Sequence, residues 1–124
     1  MAIKIGGNVV LDYDGASSSN SNIAVGYQAL TSNTTGLYNT AVGSGALYNN
    51  TSSNNTAVGY QALYSNTTGQ YNVAVGYQAL YSNTIGIANT ALGYKALYSN
   101  QTNDNNNAFG FGALQNNTSG YKVI

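Results

Sequence analysis

The stretch Asn72 to Ala88, NVAVGYQALYSNTIGIA, recurs with small edits along nearly the whole chain and restricts it to a stack of short, equivalent units. Copies start at Asn22, Asn39, Asn55, Asn72, Asn89 and Asn106, which by subtraction are 17, 16, 17, 17 and 17 residues apart. The short copy has lost its residue within Asn49 to Asn54, in a turn tract. Such a period is too short for a pair of helices, and no sustained i, i+3, i+4, i+7 apolar face runs through it. Gly and Asn punctuate it every few residues. The expected fold is all-β: a parallel β-solenoid of about six 17-residue coils, each with two short strands and two turns. The first strand falls near the variable residue, Ala, Val and Gly, and the second near Gln, Ala, Leu and Tyr. Residues 21–124 form this repeat domain.

Each fixed column has an expected task. Val25, Val42, Val58, Val75, Leu92 and Phe109 stack with Leu30, Leu47, Leu63, Leu80, Leu97 and Leu114 to fill a narrow core. Ala24 and Gly26, with their equivalents through Ala108 and Gly110, mark places of close approach. Asn columns headed by Asn22 and Asn33 bond from coil to coil as ladders. Gly36, Gly69, Gly86 and Gly120 suit a positive-φ turn. A single Val and a single Leu per coil bury little against the entropy of ordering a whole coil, so a lone chain is marginal. Tyrosine is the remaining apolar source. Tyr27, Tyr60, Tyr77 and Tyr94, with Phe111, form one column, and Tyr48, Tyr64, Tyr81 and Tyr98 a second. Aromatic stripes of this kind mark a subunit interface, or a surface on which sugar rings stack, and an oligomer is expected.

The first twenty residues lack the repeat. Ile3, Ile5, Val9, Val10 and Leu11 flank Gly6-Gly7-Asn8, a short hairpin or two strand fragments around a turn, and Asp12 to Asn20 is polar turn or linker. Residues 1–20 therefore cap the first coil or attach the protein to another. They do not read as a signal peptide, and no stretch reaches the ~18 apolar residues of a membrane span.

Charge is sparse: three Lys and Arg together against three Asp and Glu, 5% of residues where ~25% is usual. That balance argues against nucleic acid and against anionic lipid as partners. Without His, Cys, Glu or Arg, the usual acid–base and nucleophilic constellations cannot be assembled, so no catalytic, metal or cofactor residues are assigned. Asp12-Tyr13-Asp14-Gly15 has the opening spacing of a calcium loop but no downstream Glu, and an Asx turn is its expected state. Asn103 to Asn107 reads as a solvated loop. The sequons, such as Asn66-Thr67-Thr68, are by-products of an Asn-Thr turn. Thr34, Thr51, Thr67, Thr84 and Thr118 line up as a hydroxyl ladder broken at Gln101, although adjacent threonines in an extended strand would face opposite ways.

Asn72-Val73-Ala74-Val75-Gly76, with Ala79 downstream, resembles the head repeat of YadA-like trimeric autotransporter adhesins, and NTAVGYQAL repeats closely similar to it occur in bacteriophage tail-fibre proteins. The resemblance covers about residues 22 to 121. It implies a left-handed parallel β-roll and a parallel homotrimer, with the Ala, Val and Gly of each AVG nearest the three-fold axis. The period exceeds the roughly fourteen residues of adhesin heads, and the chain shows neither their stalk nor their barrel anchor. IKIGGNVVLD is similar to the start of some phage fibre proteins. The resemblance thus points to a virion structural protein, extracellular as part of the particle, that joins other virion proteins through residues 1–20, with host-surface glycan as a further candidate partner. A bacterial surface adhesin head fragment is the alternative, followed by a self-assembling filament and an ice-binding solenoid.

Overall fold

Six three-residue strands of identical placement carry the repeat: β3 (Ile23–Val25), β4 (Thr40–Val42), β5 (Thr56–Val58), β6 (Val73–Val75), β7 (Thr90–Leu92) and β8 (Asn107–Phe109). Each pairs in parallel with the next, alanine against alanine, from Ala24↔Ala41 to Ala91↔Ala108. The chain is therefore an all-β parallel solenoid. The structure, a computed structural model, describes the backbone of residues 2–5 and 8–12 and all of residues 22–120. Ahead of the coils, β1 (Ala2–Ile5) and β2 (Asn8–Asp12) form an antiparallel hairpin, and β2 meets β3 antiparallel at Asp12↔Ala24. The N-terminal segment thereby lies along the edge of the first coil, and Asp12, expected in the linker, closes a strand instead.

Alternation within each strand decides what enters the core. The middle residue points inward: Ala41, Ala57, Ala74 and Ala91 have no exposed area. Its neighbours point out, so the Val column, assigned above to the core, lies half-exposed on the outer sheet face together with Ile23, Thr40, Thr56, Val73 and Thr90. Three residues cannot bury two adjacent side chains on one face, and the coil is too narrow for a branched residue where Ala74 sits. The interior instead holds Ala74, Ala79 and Leu80, or their equivalents, in every coil.

The second leg is not a strand. Gln-Ala-Leu-Tyr is a run of turns in which Gln78 and Leu80 both have φ of 52°, as do their counterparts Gln61 at 53° and Leu63 at 51°. Left-handed backbone costs a residue with a side chain about 1–2 kcal/mol. Cross-coil hydrogen bonds hold it: Leu63 N–H donates to Ala79 O at 3.0 Å, Ser65 N–H to Tyr81 O at 3.1 Å, and Gln78 N–H back to Tyr60 O at 2.9 Å. The first five coils each close at a further left-handed residue, among them Tyr71 (58°) and Ala88 (57°).

Two buried amide ladders stand in the turn opposite. In one, the Oδ1 of each Asn accepts the backbone N–H of its equivalent in the next coil: Asn72 N to Asn55 Oδ1 at 3.0 Å, Asn89 N to Asn72 Oδ1 at 2.9 Å. In the other, the side chains bond directly, Asn83 Nδ2 to Asn66 Oδ1 at 2.9 Å and Asn100 Nδ2 to Asn83 Oδ1 at 3.1 Å. Both ladders also converge on one carbonyl per coil. Gly86 O accepts Asn72 Nδ2 at 2.8 Å and Asn83 Nδ2 at 3.0 Å. The ladders are those expected from the Asn columns. The Gly column beside them was expected at a positive φ, but Gly69 and Gly86 are not in that region. They are glycine because a Cβ at Gly86 would run into Asn83 Oδ1 and Asn103 O. The positive-φ glycines are instead Gly45, Gly112 and those that end the strands after the Val column: Gly59 sits at +133°, and a Cβ there would come 2.6 Å from Gly76 O.

The short copy is accommodated in this turn. Ser52 stands where the first, third and fourth coils have Gly36, Gly69 and Gly86, and its Oγ donates its one proton to Gly69 O at 2.6 Å, with Asn50 Oδ1 3.0 Å away. The direct amide ladder stops there, and Asn33 Oδ1 is left buried and unpaired.

Replacing Asn83 by Ala removes the two bonds its Nδ2 donates, to Asn66 Oδ1 and Gly86 O, and the one its Oδ1 accepts from Asn100 Nδ2, so equilibrium denaturation should show a loss of roughly 2–4 kcal/mol. Thr51→Ala removes a bond of comparable length to Thr67 O at the surface and should cost under about 1 kcal/mol. Ala88→Asn puts a residue tolerant of the left-handed region at φ 57°, where other coils have Asn54 and Asn105, and should raise stability by roughly 0.5–1 kcal/mol.

Candidate functional site

From Tyr48 and from Tyr60 onward the two aromatic columns are continuous ring stacks. Tyr48, Tyr64, Tyr81 and Tyr98 follow one another at centroid separations of 4.9, 5.3 and 5.2 Å, with ring planes within 9° of parallel. Tyr60, Tyr77, Tyr94 and Phe111 follow at 5.2, 5.3 and 4.7 Å. These separations are close to the ~4.8 Å step between hydrogen-bonded strands, so the parallel register of the coils sets them. The first ladder is half-buried; the second is exposed, and Tyr27 lies one coil outside it because Ser44 occupies the intervening coil.

A polar row runs between the ladders. Gln78 Nε2 donates to Gln61 Oε1 at 2.8 Å. In the next coil Lys95 takes the same place, its Nζ 5.4 Å from the Tyr94 ring centre and 5.3 Å from that of Tyr98. The ammonium thus joins the two stacks through cation–π contacts. Burial, followed by the neighbouring Tyr98, Tyr64 and Tyr60, raises the pKa of Tyr81 above the ordinary phenol value.

This geometry changes what the stripes offer a ligand. Sugar rings stack on aromatic faces, but within each ladder the faces lie against one another. Inner rungs such as Tyr77 and Tyr81 present ring edges and hydroxyls. Ring faces remain only at the ends and at the missing rung, which column spacing alone did not reveal.

The second apolar surface is the outer sheet face, formed by Val42, Val58, Val75 and Leu92 with the Thr, Ile and Val that precede the inward Ala. At its last coils it dips into a recess lined by Thr90, Leu92, Asn107, Ala108 and Phe109. Phe109 is 83% exposed. The Val column, expected in the core, forms half of this face; the signal in the sequence is the alternation, since the residue next to an inward Ala in a strand must point out.

The threonine ladder bonds inward along the axis. Thr67 Oγ1 donates to Thr84 O at 3.1 Å and Thr84 Oγ1 to Gln101 O at 3.2 Å, so these hydroxyls serve the coil stack. Asp104, in the turn of the fifth coil, accepts the Ile87 N–H at 2.7 Å. Among the described residues no three His, Cys, Asp or Glu gather in one place, and no helix is long and apolar enough to cross a membrane. Ile3 and Ile5 lie in β1 and Val9, Val10 and Leu11 in β2; their side chains, and residues 13–21 with Asp14, lie outside the described residues. No protein-family model, curated protein or solved structure matches the chain.

In an alkaline titration followed by phenolate absorbance, Tyr81 should ionise above the 10.0 of an ordinary phenol, and Tyr81→Phe should delete the late phase. Because its folded pKa is the higher one, its contribution to stability is intact below pH 10.0 and disappears as pH rises through the folded value. An unchanged late phase in Tyr81→Phe would refute the assignment.

Proposed function

We propose that the protein is a structural component of a bacteriophage virion, a short fibre or decoration protein that assembles as a parallel homotrimer through its outer sheet face and meets host-surface glycan with the tyrosine side of the coils. The observation that carries this reading is the outer face itself: a rank of Val, Thr, Ile and Leu side chains, repeated in register from β3 to β7 and followed by Asn107 and Phe109 in β8, on a chain whose own core is mostly Ala, Leu and Asn. Contiguous exposed apolar surface of this kind marks an interaction site. Because the ranks repeat along the rod, identical chains aligned side by side bring equivalent coils together at every level.

The resemblance of the NTAVGYQAL-type unit to tail-fibre repeats supports the virion assignment, and the sparse charge agrees with a surface that works through apolar and amide contacts. On this reading residues 1–20 attach the trimer to its neighbours in the particle. The stiffness of a hydrogen-bonded stack suits a rod that projects from a surface.

Light scattering should give about three times the 12.9 kDa chain mass. Val58→Lys and Val75→Lys, which place charge on the outer face without entering the core, should return the mass to one chain with the coil spectrum retained. Immunogold labelling of purified phage particles should decorate the tail or capsid surface. A wild-type monomer would overturn the trimer, and unlabelled particles the virion assignment.

A further inference from the structure

The exposed aromatic ladder has a missing rung, and we propose that the gap is a saccharide slot that takes one all-equatorial pyranose ring, of the β-glucose or N-acetylglucosamine type, between the faces of Tyr27 and Tyr60. The inference deepens the glycan contact of the fibre reading above and rests on it.

Coil by coil, the column reads Tyr27, Ser44, Tyr60, Tyr77, Tyr94, Phe111. The backbone does not close up around Ser44. Gly43 N–H donates to Val25 O at 2.7 Å, Gly45 N–H to Tyr27 O at 2.9 Å, and Gln61 N–H to Ser44 O at 2.9 Å, the same cross-coil pattern as in the filled coils. Tyr27 and Tyr60 therefore spring from backbone two coil steps apart, about 9.6 Å. The chain itself shows what such an opening holds. Tyr77, between Tyr60 and Tyr94, sits 5.2 and 5.3 Å from its neighbours, so two steps accommodate one six-membered ring in van der Waals contact on both faces. The gap is bordered by the side chains of Tyr27 and Tyr60, exposed to 58% and 45%, and between them the chain carries Ser44 and buried Gly45. A Cβ on Gly45 would be 3.2 Å from Gln61 Cγ and 3.3 Å from the Tyr64 ring, so these two side chains pack over Gly45 and bound the gap on that side.

The occupant follows from these walls. A ring entering edgewise must offer C–H groups on both faces, because both meet aromatic faces. A pyranose whose substituents are all equatorial does so, and its hydroxyls then lie around the rim, toward the Ser44 hydroxyl and the carboxamides of Gln28 and Gln61 on the bordering coils. An axial hydroxyl, as in galactose, would be pressed against a ring face. The inner rungs cannot bind in this way, since their faces are already covered, so the second coil is the one place within the ladder where a sugar can be sandwiched.

Saturation-transfer NMR on the assembled wild-type protein should detect methyl β-glucopyranoside and show a clearly weaker response to methyl β-galactopyranoside. Ser44→Tyr restores the residue the other coils carry, so it should fill the slot, keep or raise thermal stability, and weaken glucoside binding at least about tenfold. Tyr27→Ala, at the exposed end of the stack, should weaken binding about tenfold with the fold intact. No glucoside response in the wild type, an equal response to galactoside, or undiminished binding by Ser44→Tyr would overturn the proposal. Association of copies that disappears in Ser44→Tyr would give the slot to a side chain of a second copy and would also overturn it. Light scattering separates this outcome from failure of the fibre reading: a trimer that ignores sugars refutes the slot alone.

Discussion

Everything in this fold leans on amide groups buried in a turn. A coil of three inward apolar residues cannot hold its neighbours by apolar burial alone, and Asn72 and Asn83, each without exposed area, supply what is missing. From the second coil to the fifth, every step along the axis carries one backbone-to-amide bond, one amide-to-amide bond and a carbonyl that accepts two Nδ2 groups. A buried amide without partners is costly, and a fully paired row of them enforces register, because a slip of one residue would leave the whole row unpaired. The parallel register of β3 to β8, the strict alanine pairing and the spacing of the tyrosine rings all follow from that constraint.

The same constraint explains where the chain tolerates strain and variation. Left-handed backbone at Gln78 and Leu80 turns the second leg so that its N–H and C=O groups point along the axis, and the hydrogen bonds gained at every coil hold it there. Variation collects outside the amide row: the residue before the inward Ala changes freely, and Lys95 replaces Gln between the aromatic stacks. Where the row itself is disturbed, at the shortened second coil, Ser52 substitutes its hydroxyl for the lost geometry and one acceptor, Asn33 Oδ1, goes without a partner. That coil also carries Ser44 and Gly45 in place of the usual aromatic and amide residues. Three departures from the repeat, Ser44, Gly45 and Ser52, thus fall in the one shortened coil.

Much of this was legible in the columns. The solenoid, its six coils, the strand at the Ala-Val step, both Asn ladders and the tyrosine stripes are read from the period and from residues that bond or stack only with their own kind. Three features were not legible, each for a physical reason. Val75 outranks Ala74 in apolarity, yet alternation over three residues admits only one of them, and the narrow interior admits the smaller. Gln-Ala-Leu-Tyr has the composition of a strand, and nothing local shows that Gln78 and Leu80 turn left-handed, since that depends on hydrogen bonds to adjacent coils. Gly86 looks like a turn glycine, but the crowding of Asn83 and Asn103 around it, visible only in three dimensions, is what excludes a side chain. The availability of aromatic faces likewise depends on ring orientation, which a column of tyrosines does not encode.

The most direct measurement of the central claim is hydrogen exchange at the asparagine side-chain amides, followed by NMR. The Nδ2 protons of Asn66, Asn72, Asn83 and Asn89 should exchange as slowly as the backbone amides of β5 to β7 and should gain exchange together with them as denaturant is added. Exchange of these side-chain protons at the rate of free amides, while the strand amides stay protected, would show that the coils hold together without the ladders and would contradict the account.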